Sequence, residues 1–146
     1  MELSTNLFIE QLLRLLPYWH YKIDKPFKLF LKDKMSLETY YCLQTLRQKG
    51  PMTMSEICRC LKISKQQATK MIDTLYTHHF VERQPGETDR RFISIRVTQQ
   101  AIDYIESEIY RNPEFVDRLG RTLSAADFAQ LQQAIETLLR LLPQLD

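Results

Sequence analysis

The sequence predicts a mainly α-helical chain with one small β-hairpin, and three observations carry that prediction. Helix-start signals recur along the chain, the hydrophobic period changes to two in one stretch only, and both ends are rich in leucine. With 146 residues, 44% of them hydrophobic and 26% charged, the chain can build one compact core, and this composition excludes disordered and collagen-like classes.

Taken in order, Asn6 to about Lys22 reads as a leucine-rich helix that Pro17 should kink or restart. Ser36 is the first clear N-cap, ahead of a helix to residue 49 that Gly50-Pro51 terminates. Thr53 with Glu56 and Ser64 with Gln67 have capping-box spacing, which predicts helices over 53–61 and 64–78 with only Lys62-Ile63 between them. Val81 to Gln84 and Phe92 to Val97 then alternate apolar and polar residues, with Ile93, Ile95 and Val97 on one face, and residues 85–90 supply a turn. Thr98 opens another helix, which Asn112-Pro113 should break, and Ser124 opens a last one reaching Leu142. Gly50, Gly86 and Gly120 all fall where a turn is expected.

Three helices with a short link between the second and third, followed by a hairpin, form a winged helix-turn-helix. The expected organisation is a single compact domain overall. Within it, 36–97 is the winged helix-turn-helix lobe, and 1–35 with 98–146 form a helical region whose surplus leucines should pair two copies of the chain. No apolar run approaches the roughly 20 residues of a membrane span, and the start lacks signal-peptide character, so a cytoplasmic protein without membrane contact is expected.

The net charge of +2 hides a gradient. Residues 59–97 carry eight basic against four acidic side chains, while 98–146 carry four against eight. A basic middle suits a polyanionic partner, and the pattern on the third helix specifies which. Ala68, Met71, Ile72 and Leu75 make its inward stripe, leaving Lys65, Gln66, Thr69, Lys70 and Asp73 outward, beside the cap Ser64. Gln, Lys and Thr are side chains that read base edges or hold phosphates in double-stranded DNA. Arg90 and Arg91 at the hairpin tip suit a minor groove, and Asp89 is placed to accept a hydrogen bond from Arg91 and hold the tip in shape.

Val81-Glu82-Arg83, Pro85, Asp89-Arg90-Arg91 and the closing Val97-Thr98 are similar to the wing signature of the MarR family. Thr39 to Leu43 resembles that family's first core helix, and Ala68 to Asp73 with Leu75 resembles its recognition helix. The resemblance is close over about 36–100 and architectural in the flanks. It implies a homodimeric transcription regulator, in character a repressor, with Thr69 and Lys70 in the major groove and Arg90 or Arg91 in the minor groove, released by a small aromatic ligand or by oxidation. His79 stands where the family has glycine, so either it is left-handed or that turn differs; Ala101 replaces a second glycine.

Other clusters have two readings each. Tyr18, Trp19 and Tyr21, with Tyr40 and Tyr41, are either an effector pocket for an aromatic ligand or packing at the dimer interface. Cys58 and Cys60 are either redox-sensitive thiols beside Arg59 and Lys62 or ordinary buried free cysteines, and Cys42 is expected in the core. A Cys-x-Cys on a helix splays its sulfurs about 200° apart, so no metal or other cofactor is expected. No phosphate loop, His-x-x-x-His pair or nucleophile elbow points to an enzyme. The rival to a DNA-binding regulator is a winged helix used as a protein-interaction module.

Overall fold

The computed structural model describes residues 2–32, 34–86 and 88–145. Helix α1 (Glu2–Trp19) continues through a π-helical turn (His20–Asp24) into α2 (Lys25–Leu31). Pro17 therefore does not restart the helix. The departure from regular geometry comes just before Pro26, where the Lys25 N–H reaches back five residues to His20 and the wider turn leaves room for the next ring.

Helix α3 (Leu37–Lys49), α4 (Met54–Leu61) and α5 (Lys65–Thr77) begin at their expected caps. The hydroxyls of Ser36, Thr53 and Ser64 accept from the N–H groups of Thr39, Glu56 and Gln67 at 3.1, 3.2 and 3.1 Å, replacing helix bonds that would otherwise be missing. Gly50 ends α3 at φ 84°, a conformation glycine adopts without a Cβ clash. Lys62 ends α4 in the left-handed region, and the Ile63 N–H donates to the Cys58 carbonyl at 3.1 Å, so the chain turns within three residues into α5.

The sheet has three antiparallel strands rather than two. Between β2 (Val81–Pro85) and the short β1 (Met52–Thr53) lies β3 (Ile93–Val97). A strand of two residues, of which Thr53 is also the cap of the next helix, is too short to show a period of two in the sequence. Its register sets Met52 opposite Ile95, and both are buried. Ile93 shares the parity of Ile95 but is 52% exposed, because the ribbon has left the core by that point.

Leu43, Leu46, Ile57, Ala68, Ile72, Leu75 and Ile95 are at most 2% exposed and make the centre of the lobe. Of these, Ala68, Ile72, Leu75 and Ile95 lie on the faces that helical and strand periodicity assigned inward. At the end of α5 the chain turns through His79 at φ 60°, and the Phe80 N–H donates to the Leu75 carbonyl at 2.9 Å. A histidine thus occupies the left-handed position that glycine would fill without strain.

Beyond β3, Thr98 caps α6 (Gln99–Tyr104) by accepting from the Ala101 N–H at 3.2 Å. A π-helical turn (Ile105–Tyr110) ends ahead of Pro113, as Asn112-Pro113 predicts. Pro113 then starts α7 (Pro113–Thr122), a helix the sequence reading missed, and Gly120 lies inside it rather than in a turn. A Cβ at Gly120 would meet nothing, so this glycine is not demanded by packing. Helix α8 (Ala125–Leu141) follows, with a 3-10 turn (Leu142–Gln144) after it. The chain divides into two compact units, Met1–Asp103 and Tyr104–Asp146, a finer division than the one domain expected from length. Among the described residues no helix is long and apolar enough to cross a membrane.

Candidate nucleic-acid interface

Burial of Ala68, Ile72 and Leu75 turns the opposite side of α5 outward, and Lys65, Gln66, Thr69, Lys70 and Asp73 are all exposed there. Their commitments differ. Ser64 is tied into a full capping box, since its N–H donates to Gln67 Oε1 at 3.1 Å while its hydroxyl caps the helix. Thr69 donates its hydroxyl proton to the Lys65 carbonyl at 2.8 Å, so only its lone pairs and methyl remain to be presented. Asp73 lies 3.6 Å from Arg83 of β2, whose guanidinium is also 5.5 Å from the centre of the Tyr76 ring. Arg83 therefore links the wing to α5, a contact that the wing pattern in the sequence does not indicate. Lys65, Gln66 and Lys70 make no ion pair or side-chain hydrogen bond among the described residues and are the groups this face offers.

At the wing tip, Asp89 and Arg91 are brought together. Arg91 Nη2 donates to Asp89 Oδ2 at 2.8 Å, Nε lies 3.1 and 3.2 Å from the two carboxylate oxygens, and the Arg91 N–H adds a bond to Oδ1 at 3.0 Å. The guanidinium holds the Asp89 carboxyl below its usual range, so the clip persists at neutral pH and is lost only as pH falls through that lowered value. Gly86 makes the tip possible, because a Cβ there would lie 2.4 Å from the Asp89 carbonyl oxygen. Arg90, exposed and without an ion pair among the described residues, is the cation left free at the tip. Phe92 beside it is 62% exposed. It was read only as a strand residue.

The aromatic cluster does not converge. Tyr18, Trp19 and Tyr21 are 67%, 42% and 60% exposed, while Tyr40 is buried with its ring 4.7 Å from that of Phe27. Tyr41 alone of the five lines the large recess beside α2, of about 1100 Å³, where its hydroxyl donates to Asp24 at 3.4 Å. Burial first, and then the Asp24 charge, raise its pKa.

The cysteines also separate. Cys58 lines a smaller recess of about 470 Å³ with Arg59 and Lys65, and Cys60 Sγ accepts from Lys49 Nζ at 3.1 Å. Cys42 is fully buried, and burial pushes its thiol up to about 11. Native protein treated with iodoacetamide near pH 8 should label at Cys58 and Cys60 and leave Cys42 unmodified, as peptide mapping would read. Labelling of Cys42 at an equal rate would mean that the α3 core opens. Among the described residues no three His, Cys, Asp or Glu groups are placed to hold a metal.

Three packed helices, a three-stranded wing and a basic exposed face define a winged helix-turn-helix protein. Residues 35–93 match the model of the MarR family. It is 30% identical over 90 residues to the HTH-type transcriptional regulator PecS of Dickeya dadantii, covering 60% of this chain and 54% of PecS. It is 26% identical over 92 residues to the transcriptional repressor MprA of Escherichia coli K12, covering 63% and 52%. The chain thus spans about half the length of these curated relatives. Among solved structures, a mutant MarR from E. coli complexed with operator DNA superposes with a TM-score of 0.61 at 23% identity, covering 90% of this chain and 95% of that one. The transcriptional regulator BldR from Sulfolobus solfataricus gives 0.66 at 16%, covering 99% of both. These likenesses establish the fold.

Proposed function

We propose that the protein is a transcription regulator, in character a repressor, that binds double-stranded DNA as a homodimer, with α5 in the major groove and the wing in the minor groove. The observation that carries this reading is the outward face of α5, where Lys65, Gln66 and Lys70 are exposed and uncommitted while every apolar residue of the helix core is turned inward. Arg90 supports it from the wing, since a free guanidinium on a narrow ribbon suits the negative potential of a minor groove. The relatives PecS and MprA, named as a transcriptional regulator and a transcriptional repressor, lend the reading its class. An effector that releases the DNA has the recess at Tyr41 available to it, and the roles of Cys58 and Cys60 as oxidation sites rest only on their exposure and on Lys49.

The division between reading and anchoring is testable. Gln66 has no charge for a phosphate, so Gln66→Ala should relax base preference, at about 1–3 kcal/mol for a good bidentate contact, and leave the salt slope unchanged. Lys70→Ala and Arg90→Ala should each lower the magnitude of the salt slope by about one per protomer. Arg90→Ala should also weaken preference for A·T-rich flanks. Salt titrations on a selected operator and a scrambled duplex read both effects. A loss of slope in Gln66→Ala with none in Arg90→Ala would reverse the assignments, and a dimer that binds no duplex would favour a protein-interaction module.

A further inference from the structure

The recess beside α2 is lined by Lys25, Lys28, Lys32 and Lys34, all exposed, together with Ser36 and Tyr41. Lys25 and Lys28 lie three residues apart on α2 and Lys32 is its C-cap at φ 49°, and all three line the recess over about 10 Å of the helix axis. Among the described residues these three make no ion pair. Two carboxylates share the lining. Asp24 is engaged by the Tyr41 hydroxyl and lies 3.9 Å from His20, and Glu38 sits in the first turn of α3, where it complements the helix dipole.

The recess is also continuous with the reading face. Ser36, Glu38 and Thr74 line both it and the adjoining groove, whose other walls include Gln67 and Lys70 of α5. The surface therefore runs from Lys70 of α5 past Ser36, Glu38 and Thr74 to the lysines beside α2, with the Glu38 carboxylate between the two groups of cations.

We propose that the lysine stripe of α2 is a second phosphate-binding site, which takes the DNA backbone outside the contacts made by α5 and the wing. This rests on the DNA-binding reading given above. Length selects the occupant. A duplex strand presents an unbroken row of phosphates, so a stripe of about 10 Å can engage neighbouring ones together, whereas a compact free anion would engage only one or two of the ammonium groups.

The test is a salt titration of DNA affinity with full-length protein carrying Lys28→Gln and Lys32→Gln. The slope should fall in magnitude by about two per protomer, and affinity at fixed salt should fall about tenfold by the same factor on operator and scrambled duplexes, because phosphate contacts carry no sequence information. The charge-retaining pair Lys28→Arg and Lys32→Arg should restore both. If the double glutamine variant does not fold, Lys28→Gln alone should lower the slope by about one, and an unchanged slope overturns the proposal. So does a calorimetric signal for inorganic pyrophosphate that the wild type gives, the variant loses, and DNA affinity does not follow; that result assigns the recess to a small anion. Wild-type protein that binds no duplex at any salt sinks the DNA-binding reading itself, whereas wild-type binding with an insensitive variant sinks only the second site.

Discussion

Replacing Leu13 and Leu16 by Asp in the full-length chain, or removing residues 1–22, is expected to turn a dimer into monomers or aggregates and to lower DNA affinity on the order of a hundredfold or more. The expectation comes from area that one chain leaves uncovered. Phe8, Leu12, Leu15 and Trp19 fall on one stripe of α1, and they are 60%, 39%, 42% and 42% exposed, with Ile9, Leu13 and Leu16 beside them at 45%, 58% and 56%. Helix α8 and the turn after it carry a second row, Phe128, Leu131, Ile135 and Leu142, exposed by 37% to 52%. Full burial of such a side chain is worth about 1.5–3 kcal/mol, so covering the half still exposed contributes roughly half of that each, and a monomer would present far more apolar surface than soluble single chains do. In the proposed homodimer two linked DNA-binding heads gain affinity from the effective concentration of the second, on the order of 10²–10⁴-fold, and this gain is lost with the dimer. Sedimentation with a DNA titration measures both. A dimeric truncated protein would contradict the assignment of the interface.

Leu75→Ala is expected to destabilise the lobe by about 2–5 kcal/mol, the range for a buried leucine that leaves a cavity. Leu75 is fully buried on α5, and its carbonyl accepts the Phe80 N–H in the turn that leads to the wing. The loss should appear in urea unfolding as a lower midpoint with an unchanged slope. A substitution costing under about 1 kcal/mol would mean that α5 is not packed where its burial places it.

Helix caps were the most legible part of the fold, because a Ser or Thr ahead of an apolar period satisfies a free N–H locally and needs no tertiary information. Ser36, Thr53, Ser64, Thr98 and Ser124 all cap where they were read. What escaped depends on neighbours distant in sequence. Strand β1 exists only because β3 offers it an edge, and α7 contains a glycine that local propensity takes for a turn. Among the site residues, the inward stripe of α5 identified its outward face by elimination. The pairing of Arg83 with Asp73 and the basic recess at α2 required the folded chain, since each joins elements that sequence spacing leaves unrelated.

The central claim is that this chain reads duplex DNA as a symmetric pair, and selection of binding sites from random duplexes by the full-length protein tests it most directly. The account predicts enrichment of a pseudo-palindrome whose half-sites lie about one helical turn apart, with affinity that falls steeply as salt rises. A folded, dimeric protein that enriches no sequence, and whose residual binding ignores salt, would contradict it.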